Sequence, residues 1–190
     1  MYSARFGEAS ISYHHGNLRR TIMDAAVDAI TETGTATWSL RELARRAGVS
    51  HAAPAHHFGD KAGLLTAIAA EGYALFADAL AAAGDDFLDV GVAYVGFAVS
   101  HRAYFEVMFT PSLYEPSDPE VVAARDRAGA ILARGARTVP RGGSQREAGL
   151  AAWSIAHGFA SLWLSGALPP DLSPSPEEAA RPVLRTLFST

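Results

Sequence analysis

Residues 39–58 read SLRELARRAGVSHAAPAHHF, and this stretch decides the fold. Ser39 stands three residues before Glu42. At that spacing a hydroxyl accepts from a backbone N–H while the carboxylate reaches back, so a helix opens at Leu40. Leu40, Leu43 and Ala44 recur at helical spacing and form its buried side, while Arg41, Arg45 and Arg46 fall among polar positions. Gly48 permits a sharp turn, Val49 supplies another apolar contact, and Ser50 is placed to cap a second short helix. Two short helices joined through Gly48-Val49-Ser50 make a helix-turn-helix, whose second helix must stand proud of the body to enter a major groove. The bare pattern also fits two packed helices with solvated arginines, so the rest of the chain must decide.

The same Ser-x-x-Glu signal recurs at Ser117 and Glu120, Ser144 and Glu147, and Ser175 and Glu178, with Pro176 at a first helical position. Leu18, Ile22, Ala25, Ala26, Ala29 and Ile30 make one apolar stripe, and Leu64, Leu65, Ile68, Leu75, Phe76 and Ala79 make another. No stretch sustains a period of two over strand length, so the chain reads as all-α. Helices are predicted over 18–33, 40–47, 51–58, 61–82, 86–100, 101–109, 118–137, 145–168 and 176–188. Pro54, four residues past the expected cap, is predicted to cost its helix the first internal hydrogen bond. There are no internal repeats or low-complexity tracts.

At 190 residues and 49% hydrophobic, the chain can bury a substantial core. A net charge of -4 gives no whole-molecule reason to expect a polyanionic partner. Its distribution matters more. Through Lys61 there are seven Lys/Arg against six Asp/Glu, and beyond it nine against fourteen. Five of the seven histidines and the only lysine lie in that relatively basic front third. The absence of cysteine excludes disulfide frameworks, zinc-thiolate sites and cysteine nucleophiles, and fits a reducing cytoplasm. The N-terminus MYSARFGEAS has no apolar run that would serve as a signal peptide. Residues 149–168 carry no formal charge and reach the length of a membrane span. Gly, Ser and His dilute the segment and no basic cluster follows it, so a buried helix and no membrane partner are expected.

Over 18–73 the chain resembles the N-terminal domain of the TetR family of transcriptional regulators. The resemblance rests on a first helix ending in Thr33-Gly34, on WSLRELARRAGVS over 38–50, and on His56-His57-Phe58-Gly59-Asp60-Lys61-Ala62-Gly63-Leu64-Leu65. It implies a flexible arm over 1–15, a three-helix DNA-binding domain over 16–61, and a larger helical bundle for ligand binding and dimerisation over 62–190. It also implies that Ser39 meets a phosphate beside its capping role and that Arg41 meets a base edge or phosphate. Ser50, His51, Ala52 and Ala53 then belong to the groove-facing surface, and His57, with His56 nearby, meets the backbone. Lys61, just after the expected cap Asp60, is placed where a helix dipole already favours anions. Two departures stand out: Ala55 occupies a position where many members carry a phosphate-binding Tyr, and Pro54 one where many carry Leu. Tyr13-His14-His15 reads equally as an arm near DNA or as a disordered leader.

Farther on, Trp153, His157 and Gly158 resemble the Trp-His-Gly signature of one C-terminal subtype, supported by HRAYFEVMF over 101–109 with Arg102 in place of Pro. Trp153 and His157, four apart, share a helix face. With Phe105 and Met108 they are the candidate walls of a site for a small, mainly apolar ligand. Phe105 and Phe109 also fit plain core packing. The apolar residues Val183, Leu184, Leu187 and Phe188 exceed what one short helix buries locally, so the last helices are expected to form a two-fold interface. The function these features imply is sequence-specific binding of a palindromic duplex, with repression relieved by an unidentified effector. A helical module that binds a small molecule or a protein, but no DNA, is the alternative. No enzyme is expected: nucleophile-elbow, Walker, dinucleotide and His-Glu-x-x-His motifs are all missing. No metal or cofactor is expected either, because adjacent His56 and His57 point about 100° apart on a helix.

Overall fold

In the computed structural model, which describes residues 9–138, 144–169 and 171–188, every regular element is helical. The order is α1 (Ala9–Thr33), α2 (Leu40–Arg46), α3 (Ala53–Phe58), α4 (Lys61–Ala82), α5 (Phe87–Ser100), α6 (Arg102–Met108), α7 (Pro119–Ala136), α8 (Gln145–Leu164) and α9 (Pro176–Arg185). Single 3-10 turns follow α6 and α9.

Local chemistry accounts for most helix starts. Ser39 Oγ accepts from Glu42 N at 3.3 Å, Asp60 Oδ1 from Gly63 N at 2.8 Å, and Asp86 Oδ1 from Leu88 N at 2.8 Å. Ser144 and Glu147 form a complete reciprocal capping box, and Ser175 caps α9 with Pro176 in its first turn. Gly48, at φ +66, is left-handed, so the turn after α2 requires a residue without a Cβ.

Several expectations need correction. Asp118, not Ser117, caps α7: its carboxylate accepts from both Glu120 N and Val121 N, while the Ser117 hydroxyl donates to Glu115. Ser50 does not cap α3. Its carbonyl accepts from Ala53 N in a turn, and the helix begins at Ala53 with Ala52 as an uncapped N-terminus. Pro54 therefore sits in the first turn, where its missing N–H has no helical partner to lose. The first helix starts at Ala9, ahead of the predicted Leu18. Residues 1–8, and the side chains of Tyr13, His14 and His15, lie outside those described. The helix expected to reach 168 ends at Leu164, followed by Gly166 at φ +70.

The core runs unbroken from α1 to the end of α9, joining the two regions separated at 61/62 in the sequence. Ile22, Ala26 and Ile30 of α1 pack with Trp38 and Leu43 in the front part. Leu64, Ile68, Phe76 and Leu80 carry α4 through the centre. That helix, at 22 residues, is long and apolar enough to cross a bilayer, but half of its residues are buried among its neighbours. Gly135 lets α7 meet α5 closely, since a Cβ there would lie 2.1 Å from the Phe87 ring. The α8 helix is not buried all round. Ala152, Ala156, Phe159 and Ala160 face inward, while Leu150, Trp153 and Leu162 are among the few exposed large apolar side chains, with Val183 of α9 nearby in kind. A single chain has neighbours for only one side of this helix.

Candidate functional site

The front of the molecule presents a small exposed surface. Arg41 is exposed and makes no ion pair among the described residues, whereas Arg45 and Arg46 both bind Glu42 and Arg46 also reaches Glu32. Hydrogen bonds from Arg45 and Arg46 pull the Glu42 carboxyl down to about 2. Arg41 is thus the arginine of α2 whose donors remain for an outside acceptor. Ser39 accepts one backbone N–H and keeps its own hydroxyl proton to donate.

Ser50, His51, Ala52, Ala55 and His56 are exposed. Ala53 is not: at 7% exposure it joins the core, and Pro54 is buried beside it. Ala53 and Ala55, two residues apart, lie about 200° apart around the helix, so with Ala53 turned into the core Ala55 faces out. His57 is half-buried, its ring 5.5 Å from His56 and 6.3 Å from Phe58. Lys61 is also half-buried. Its Nζ donates to the Trp38 carbonyl at 3.1 Å and lies 4.0 Å from the Trp38 ring centroid, and desolvation lowers its pKa.

In the bundle, two cavities meet at Tyr94. One, of about 500 Å³, is walled by apolar side chains of α5, α7, α8 and α9, including Phe87, Leu150 and Leu184. The other, of about 620 Å³, is lined by Tyr73, Met108, Phe109, Arg125 and His157. Tyr94, Leu132 and Trp153 border both. The Tyr94 hydroxyl lies 3.0 Å from Trp153 Nε1 and 2.9 Å from His157 Nδ1. An indole N–H only donates, so the phenol oxygen accepts there and keeps its own proton to donate to Nδ1 in the tautomer that leaves this nitrogen bare. His157 then carries its proton on Nε2. Burial lowers the His157 pKa and keeps this neutral form, and it pushes the Tyr94 phenol up.

Three of the four expected ligand residues, Met108, Trp153 and His157, border the second cavity. Phe105 does not; it is buried behind the wall, its ring 5.1 Å from His157 and 4.8 Å from Phe109, and Phe109 takes the lining position. Tyr94 and Arg125 were not anticipated. A phenol within the apolar helix FLDVGVAYVGFAVS was the available signal for Tyr94, since a buried Tyr needs a partner. Arg125 gives no such signal. Several contacts join the bundle to the front: Arg20 of α1 donates to Glu71 of α4 and to Tyr104 of α6, and Glu106 Oε1 on α6, two residues from Met108 on the cavity wall, accepts from Thr35 N at 3.3 Å.

Residues 22–68 match the family model "Bacterial regulatory proteins, tetR family", and residues 87–187 match "Tetracyclin repressor-like, C-terminal domain". The second description is coarser than the Trp-His-Gly subtype. The chain is 49% identical over 49 residues to the HTH-type transcriptional regulator BetI of Klebsiella pneumoniae (strain 342), covering 26% of this chain and 25% of that protein. The match thus spans a quarter of the length of this curated relative. Among solved structures, a protein with unknown function from Rhodococcus sp. RHA1 is 32% identical, with a TM-score of 0.75 over 93% of this chain and 96% of that one. PfmR from Thermus thermophilus, a TetR family transcriptional regulator, is 26% identical with a TM-score of 0.67 over 88% of this chain and 96% of that one. Because the C-terminal model alone covers more than half of its length and the N-terminal model covers the helix-turn-helix, this chain belongs to the TetR family of transcriptional regulators.

Proposed function

We propose that the protein is a homodimeric repressor that binds a palindromic operator and is released by a small, mainly apolar effector. The observation that carries the DNA-binding reading is the exposed surface formed by Arg41, Ser50, His51, Ala52, Ala55 and His56, raised on a helix-turn-helix whose inner side is packed. His51 and Ala52 read base edges; Ser39, Arg41, His57 and the remaining donors of Lys61 meet phosphates. Family membership implies a regulator without enzymatic activity, working where chromosomal DNA is, in the cytoplasm.

The exposed Leu150, Leu162 and Val183 support a two-fold contact through α8 and α9. A two-fold protein presents two identical reading heads, hence the palindrome. The cavities around Tyr94 support effector binding, and the Glu106 contact supplies a route to the front.

Selection from a pool of random duplexes, followed by anisotropy and sedimentation, tests the reading. Enrichment of a palindrome bound by two chains is expected. Equal affinity for every duplex, or none, would favour a helical module that binds other partners.

A further inference from the structure

The geometry points to an effector that is an amphipathic carboxylate, an alkyl or aryl body with one acidic head held by Arg125 and His157. This rests on reading the second cavity as the effector site and names what that site takes.

Its walls accept an apolar body: Phe76, Met108, Phe109, Leu132 and the Trp153 ring are among the lining, and no Asp or Glu is. The polar groups are what select the head. Tyr73 and Tyr114 both border the cavity, but each donates its hydroxyl proton to the Met108 carbonyl at 3.0 Å. The Nδ1 of His157 is occupied by Tyr94. The donors still available are therefore the Arg125 guanidinium, the exposed Ser154 hydroxyl and, with the Tyr94 proton on Nδ1, the Nε2–H of His157.

Arg125 differs from other arginines of its helix. Arg127 pairs with Asp78 and Arg134 with Asp85, whereas half-buried Arg125 makes no ion pair among the described residues. Among the described residues its hydrogen bond runs from Nη1 to the Pro116 carbonyl at 3.3 Å, which leaves most of its five donors unmatched there. Its charge also acts on the Tyr73 phenol, opposing the upward push of burial, as expected of a cation set beside the cavity wall. A permanent cation facing apolar walls, with a neutral N–H donor and no carboxylate, complements a monoanion with an apolar body. His157 contributes a hydrogen bond and no second charge, which favours one acidic group over two.

The test is calorimetric titration of the full chain at pH 7.5 with two matched pairs: decanoic acid and decan-1-ol, and 4-phenylbutyric acid and 4-phenylbutan-1-ol. Each alcohol keeps the body and removes the charge. At least one acid is expected to bind about tenfold or more tightly than its alcohol, the scale of a charge-assisted hydrogen bond. Arg125→Gln is expected to bring that ratio close to one while leaving the affinity of the alcohol unchanged, and Arg125→Lys to restore part of it. Equal affinities within both pairs on the unaltered protein overturn the acidic head and leave the cavity as an effector site. A ratio that survives in Arg125→Gln overturns the assignment to Arg125. Failure of all four compounds to bind overturns the effector-site reading itself, and this proposal with it.

Discussion

The Lys61 ammonium donates to the Trp38 carbonyl at 3.1 Å and stands 4.0 Å from the centroid of the Trp38 ring. Lys61 opens α4, the central helix of the bundle, and Trp38 immediately precedes the cap of α2. The pair therefore ties the bundle to the helix-turn-helix, and the same cation lies at a helix N-terminus suited to a phosphate.

Replacing Lys61 by Met separates these roles. The variant keeps the packing stem but loses the hydrogen bond and the cation–π contact, and is expected to be less stable by about 1–2 kcal/mol in denaturant unfolding. If Lys61 also meets DNA, the slope of log affinity against log salt falls by about one unit. A loss of stability with no change in slope would assign Lys61 to the brace alone.

Ala55 is exposed on α3. Installing Tyr there is expected to add one phosphate contact and tighten binding by about 0.5–1.5 kcal/mol, equally on operator and random duplex, because phosphates carry no direct sequence information. His51→Ala is expected to change preference among operators instead. Competition assays with both duplex types check the two patterns, and an operator-specific gain from Ala55→Tyr would reverse the roles given to backbone and bases.

Glu106 holds Thr35 N from the same short helix that places Met108 at the cavity. Glu106→Ala is expected to leave effector affinity of the DNA-free protein nearly unchanged and to shrink the factor by which effector weakens DNA binding. By reciprocity, DNA then weakens effector binding less, by the same factor. Measuring both legs of the cycle checks this. Glu106→Gln keeps an acceptor and should keep most of the coupling.

The lowered pKa of His157 sets a pH dependence. In the unfolded chain a histidine takes up a proton near pH 6.5, while in the fold this one resists to lower pH. The unfolded state therefore binds more protons in that window, and stability falls as pH drops below about 6.5 towards the folded value. His157→Gln should remove this part of the pH dependence. Comparing the loss of Tm between pH 7.5 and pH 5.5 in the two proteins isolates it, and identical losses would show that His157 protonates freely in the fold.

Leu162 is 47% exposed on α8. Leu162→Arg is expected to leave the fold intact and shift the protein towards monomers in sedimentation at micromolar concentration, since a buried unpaired charge at a two-fold contact is present twice. An unaltered dimer would move the interface away from this face of α8.

Much of the fold was legible in the residues themselves. Apolar spacing marked α1, α2 and α4, Ser39, Asp60, Ser144 and Ser175 marked where four helices start, and Gly48 marked the turn. These are interactions over one to four residues, which depend on neighbours in the chain and on little else. The errors had different sources: Pro119 at a first helical position pointed locally to Asp118 as the cap, just as Pro176 did to Ser175, whereas the start of α3 at Ala53 and the burial of Ala53 depend on packing against the rest of the fold. The functional surfaces depend on longer distances. Lys61 meets Trp38 from 23 residues away, Tyr94 meets Trp153 from 59 and His157 from 63. Arg125 is distinguished by lacking, among the described residues, the ion pair that Arg127 and Arg134 have. By itself the sequence determined an all-helical regulator with a helix-turn-helix at its front. Which side chains share a cavity, and which donors there remain unmatched, was decided only when α4 to α8 packed together, because hydrogen-bond partners are chosen by proximity in space.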